Sequence, residues 1–173
     1  MQGTAAAFGN VFTAPPLMLP LQVERGAFAA SLRASPTVIA LANHRGLPLA
    51  STSDGTLEIW EAPSGLAYRA ELDDGEADAA LMLQKIRRGL VTESSIGATM
   101  IEGEWVDSDH PLAWDGQVVA ARVIDINRGD VTFCPFGANP QTSTAIAASQ
   151  CPPAPDRHSI VARAKALVEV VRL

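Results

Sequence analysis

Apolar positions along this chain change spacing several times, and each change marks an element. Residues 38–42 are apolar without a break, the pattern of a short strand buried on both faces. Residues 56–61 alternate after the turn signal Ser53-Asp54-Gly55 and read as a half-exposed strand. Leu66, Tyr68, Ala70 and Leu72 alternate in the same way after Pro63-Ser64-Gly65, so the two runs predict a β-hairpin.

The spacing then lengthens. Ala79, Met82, Leu83, Ile86 and Leu90 fall on one face at helical intervals. Asp73 with Glu76 three residues on has the form of a capping box. Lys85, Arg87 and Arg88 suit the negative end of the helix dipole, and Gly89 suits a left-handed cap. Beyond Ser95 the period returns to two. Arg122, Ile124 and Ile126 alternate with Val123 and Asp125, Asn127-Arg128-Gly129-Asp130 reads as a turn, and 131–133 as the partner strand. Residues 141–155 are rich in Ser, Thr, Ala and Pro and read as a linker. Ile160, Ala164, Leu167 and Val171 then mark an amphipathic helix. The organisation expected is a mainly β domain with flanking helices over 1–140, a linker over 141–155 and a C-terminal helix over 156–173. A closed or partly closed β-barrel is the architecture that fits.

Composition removes several classes of function. A chain of 173 residues that is 47% apolar and 18% charged is a packed, single-domain globular chain. A net charge of −6 and a pI near 5.0 speak against nucleic acid as the partner. No basic residue precedes Arg25, so the charged start of an export signal is missing. Pro15, Pro16 and Pro20 break the apolar stretches far short of a membrane span, and no membrane partner is expected. Cys134 and Cys151 are too few for a disulfide framework and read as reduced thiols. Cys134 lies in the apolar stretch Phe133-Cys134-Pro135-Phe136, where an inert buried thiol is the usual case. The three histidines, His44, His110 and His158, show no paired ligand spacing, so neither a metal nor another cofactor is expected.

What remains is hydroxyl chemistry. A serine attacks a carbonyl only with a base in hydrogen-bond reach, most often a histidine. Ser95 lies just past the end of the predicted helix, and His44 ends the first apolar run. Ser94 is the local competitor of Ser95. His110, in the polar loop 107–111, and His158, between linker and helix, read as solvated. Asp125 and Asp130 both stand as acidic residues that could orient the histidine.

The motifs around these residues resemble those of the prohead (capsid maturation) serine proteases of tailed phages and phage-like gene transfer particles. The resemblance runs in order from about residue 3 to 141. It comprises Gly26-Ala27-Phe28 with Ser31-Leu32, the strand ending in Asn43-His44, Gly55-Thr56-Leu57 and Gly65-Leu66. Further on come Arg88-Gly89, Ser95-Ile96-Gly97, Asp130-Val131-Thr132 and Ala138-Asn139-Pro140. No one of these motifs is specific; their order and spacing are. The chain departs from the pattern at Arg45, at Ala50-Ser51, at Ala98, at Gly137 and at Asp130, which replaces the usual Glu.

The resemblance implies an assemblin-like β-barrel of the herpesvirus protease type. It implies a serine endopeptidase with Ser95 as nucleophile and His44 as general base, and Asp130 is the candidate third residue. Backbone N–H groups near Ile96 or Arg87-Arg88 are the candidates for stabilising the oxyanion. The implied substrates are the major capsid protein precursor or its scaffold segment, and the protease itself, which brings self-association with it. The place of action would be the assembling prohead in the cytoplasm of a bacterial host. The competing expectation is a non-catalytic β-barrel protein of head assembly or scaffolding.

Overall fold

A computed structural model describes residues 1–16 and 18–147. In chain order they form β1 (Gln2–Ala7), β2 (Val11–Thr13), β3 (Pro20–Val23), α1 (Ala29–Arg33), β4 (Ile39–Ala42) and β5 (Arg45–Ser51). There follow β6 (Leu57–Ala62), β7 (Gly65–Ala70), α2 (Ala77–Arg87), β8 (Glu93–Asp107), β9 (Gln117–Cys134) and β10 (Ser143–Ala145). The described residues are mainly β, with two short helices, and no described helix is long and apolar enough to cross a membrane.

The strands form two sheets. One has the order β10-β1-β7-β6, and within it β6 and β7 make the hairpin expected at 56–72, closed by a two-residue loop between Ala62 and Gly65. The other is built on β9. One edge of β9 pairs antiparallel with β8 along its length. Its other edge takes two short strands in parallel, β3 against Val119, Ala120 and Ala121, then β4 against Asp130, Val131, Thr132 and Phe133. β2 lies outside β3, and β5 outside β4. Among the described residues no strand pair joins the two sheets into a closed ring, so they are packed sheets rather than a closed barrel.

The predicted turn at 127–130 is not a turn between two strands. β9 runs straight through it. Asp125 faces Thr99 and Asp130 faces Gly97, so residues 126–129 stand against Ala98 alone. Arg128 takes φ +60°, and its N–H donates to Thr37 O, while Asn127 Oδ1 accepts from Thr37 N–H. The turn-forming residues thus make a bulge, which bends the strand where it changes from β3 to β4. β8 supplies the antiparallel partner that 131–133 was expected to provide.

The core lies between the sheets, with Phe28, Val38, Leu66, Tyr68, Ile126, Val131 and Phe133 fully buried. Tyr68 of β7 meets Phe133 of β9 with ring centroids 5.8 Å apart, joining one sheet to the other. α2 covers this core with Ala79, Met82, Leu83 and Ile86, the face its spacing predicted, and ends at Gly89 with φ +68°. Leu90, assigned to the same face, is half exposed beyond the helix end. Its start also differs. The helix begins at Ala77, and Asp73 Oδ1 accepts from Gly75 N–H instead, so the Asp73–Glu76 capping box does not form.

The expected linker begins inside the fold. Ser143, Thr144 and Ala145 pair with Thr4, Gly3 and Gln2, and the side chain of Thr144 is buried. Residues 148–155 of the linker, the expected C-terminal helix, His158 and Cys151 lie outside the described residues.

Candidate active site

The site starts from a tight turn. Ala42 pairs with Arg45, leaving Asn43 and His44 as a two-residue loop between β4 and β5. Their φ values, +50° and +56°, are the two positive values of a type I′ turn. Non-glycine residues seldom adopt this region, Asn and His more readily than most, so such a turn needs outside support. β9 supplies it. Asn43 N–H donates to Phe133 O at 3.2 Å, and His44 N–H to Thr132 Oγ1 at 2.7 Å. The Thr132 hydroxyl, fully buried, in turn donates to Leu41 O at 3.1 Å.

The imidazole of His44 is gripped as well as its backbone. Nδ1 lies 2.7 Å from Asp130 Oδ1, two residues before Thr132 on the same face of β9. Asp130 is 15% exposed and the His44 side chain 43%, so the carboxylate is sheltered while the ring reaches solvent. With the proton on Nδ1 donated to Asp130, the Nε2 lone pair is left to accept another.

β8 brings the serine to the same face. Ser95 is the direct neighbour of Thr132 and Gly97 of Asp130. By strand alternation, Ser95 and Gly97 share the face of β9 that carries Thr132, Asp130 and the His44 ring. Among the described residues no hydrogen bond joins Ser95 to His44, a contact that in unliganded enzymes often tightens only with substrate. Gly97 gives room to the acid: a Cβ there would overlap Asp130 Oδ2.

The rivals separate on geometry. Ser94 is fully buried on the opposite face, with its hydroxyl donated to Thr4 O at 2.8 Å and Ser143 O at 2.9 Å. Asp125 accepts from the Ser31 hydroxyl at 2.6 Å and from Asn127 N–H, bonds that hold its carboxyl below the usual range, the serine bond most. It does not meet His44. His110 is exposed in the β8–β9 loop, where its Nδ1 accepts from Leu112 N–H. Cys134 is buried, and its thiol is pushed up to about 11, first by burial and then by the charge of Glu93. At neutral pH it is a protonated, inert thiol. Among the described residues no group of three or more His, Cys, Asp or Glu could hold a metal ion.

One oxyanion candidate is also removed. Arg88 N–H donates to Gln84 O and is consumed in closing α2. Ser94 N–H donates to Thr142 Oγ1, away from β9. Alternation therefore directs Ile96 N–H to the same open edge of β8. That edge borders a cavity of about 450 Å³ in which Ser95 and Ile96 both take part.

Thr132 is the residue at this site that sequence reasoning passed over. It was visible as a polar residue between Val131 and Phe133 in an apolar run, a position that demands a hydrogen-bond partner.

No curated protein and no solved structure matches the chain. A family model does, over residues 1–156, and with that match over most of its length the chain belongs to the caudovirus prohead serine proteases.

Proposed function

We propose that this protein is the capsid-maturation endopeptidase of a phage-type particle, with Ser95 as nucleophile, His44 as general base and Asp130 as the residue that orients His44. Membership of a prohead serine protease family makes the chain a serine peptidase of capsid maturation. The residue roles rest on one observation: His44 is held twice, at its N–H by Thr132 and at Nδ1 by Asp130, and Thr132 is the cross-strand neighbour of Ser95 on the same sheet face.

The chemistry follows from that arrangement. His44 Nε2 takes the proton from Ser95 Oγ as Oγ bonds to the substrate carbonyl carbon. Asp130 stabilises the imidazolium that results and keeps the ring in the tautomer the step needs. Ile96 N–H is placed to meet the oxyanion. As the C–N bond breaks, His44 returns the proton to the leaving amine, and water then hydrolyses the acyl-enzyme with His44 again as base. The substrates in this reading are the capsid protein precursor or its scaffold segment and the chain itself, inside the assembling prohead in the host cytoplasm. The very high local concentration there offsets weak peptide recognition.

Labelling with a serine-reactive fluorophosphonate tests the reading. The wild-type chain should be labelled and Ser95→Ala should not. Ser94→Ala should still be labelled, with stability reduced by about 1–3 kcal/mol because Thr4 O and Ser143 O each lose a buried donor, Ser143 O keeping the Tyr68 hydroxyl. No Ser95-dependent labelling would leave the non-catalytic head-assembly protein as the better reading.

A further inference from the structure

The cavity beside Ser95 has a chemistry of its own. Its floor is made of small buried side chains, Ala5, Ala6 and Ala121, and its walls include Phe12, Ile96 and Ile124. Among the described residues no charged one lines it. At about 450 Å³ it falls within the roughly 300–1,000 Å³ of ligand-sized pockets, with room for a large side chain.

Its buried polar group is already satisfied. Asn139 Nδ2 donates to Ala7 O at 3.0 Å, and its Oδ1 accepts from Asn10 Nδ2 at 2.8 Å and from Gln141 N–H at 3.2 Å. A carboxylate or ammonium entering the cavity would lose its water and find no countercharge. An apolar side chain would lose only unfavourable contact with water. The floor can stay open because the three alanines fill so little space where the sheets approach one another.

We infer that this cavity is the specificity subsite of the peptidase and takes a large apolar side chain, such as Leu, Met or Phe, from a residue flanking the scissile bond. The inference rests on the peptidase reading above and adds the substrate class to it. In an extended peptide adjacent side chains point to opposite sides, so the cavity admits one of the flanking residues and leaves its neighbour outside.

Cleavage-site profiling on a peptide library tests this, with the cut positions read by mass spectrometry. The full chain should cut peptides with Leu, Met or Phe at one flanking position about 10–100-fold faster than those with Asp or Lys there. Ala98, exposed at the cavity mouth, provides the variant least disturbing to the fold. Ala98→Trp should shrink the preference about tenfold while fluorophosphonate labelling of Ser95 persists. Phe12→Ala, which enlarges the cavity, should shift the preference towards Phe and Trp. Ser95-dependent cutting with no apolar preference at any flanking position would overturn the subsite and leave the peptidase standing. Loss of preference in neither variant would also overturn it. Absence of Ser95-dependent labelling and cutting would overturn the peptidase reading and the subsite with it.

Discussion

Gly97 and Asp130 face each other across β8 and β9, and the missing side chain of one is the space occupied by the other. A Cβ on Gly97 would overlap Asp130 Oδ2, while Asp130 Oδ1 holds His44 Nδ1. The glycine of the serine-x-glycine motif therefore makes room for the carboxylate that holds His44. In Gly97→Ala the methyl group should push the carboxylate off the imidazole. Proteolysis should then fall about 10²–10⁴-fold, approaching the loss on the order of 10⁴-fold seen when a triad acid becomes an amide. The measurement is kcat/KM for Gly97→Ala, Asp130→Asn and the double variant, with thermal melting to set aside unfolding. If Gly97 acts through Asp130, the double variant should be no worse than Asp130→Asn alone. Independent, multiplying losses would refute the coupling.

Thr132 is predicted to be a positioning residue that acts through His44. Thr132→Val keeps the volume but removes the acceptor for His44 N–H and the donor to Leu41 O. The loss of stability should be about 1–3 kcal/mol, read by urea denaturation. The Asn43-His44 turn also loses support for its positive φ values, so kcat should fall by about tenfold or more with KM little changed. Thr132→Ser keeps the hydroxyl and should restore kcat. A valine variant that loses stability but keeps full kcat would reduce Thr132 to a purely structural role.

What the sequence disclosed of this fold follows the range of the interactions involved. The β6–β7 hairpin and the buried face of α2 depend on local periodicity, and both are legible in it. β10 is a strand only because β1 lies beside it across the whole chain, and Ser143-Thr144-Ala145 carries no β signal of its own. Asn127-Arg128-Gly129-Asp130 has the chemistry of a turn. Whether such residues reverse a chain or bulge a strand is decided by the partner, here the long β8. The same bulge explains why Asp125 and Asp130 could not be separated in advance. The four residues between them, set against Ala98 alone, send one carboxylate to Ser31 and the other to His44. Asn43-His44 lacks the glycine that announces a type I′ turn, so the sequence placed His44 at a strand end but not in the turn that aims it.

Two acids buried in the core predict how the fold fails in alkali. Burial pushes the Tyr68 phenol from 10.0 up to about 12, against a smaller opposing pull from its hydrogen bond with Thr144. Burial and the charge of Glu93 push Cys134 from 9.0 up to about 11. Both groups release their protons more readily in the unfolded chain. Their contribution to stability is therefore complete below pH 9 and is lost as pH rises, for Cys134 between 9 and about 11 and for Tyr68 between 10 and about 12. For Tyr68, which is fully buried, a difference of that size corresponds to about 3 kcal/mol. The melting temperature of the wild-type chain should decline steeply above pH 10. Tyr68→Phe should melt lower at pH 7, having lost the hydroxyl that bonds to Thr144 and Ser143 O, but should decline less above pH 10. Comparing the two pH profiles removes the lysines, which titrate in both. Parallel profiles would show that Tyr68 ionises as easily folded as unfolded, and burial of its hydroxyl between the two sheets would then not be what raises its pKa.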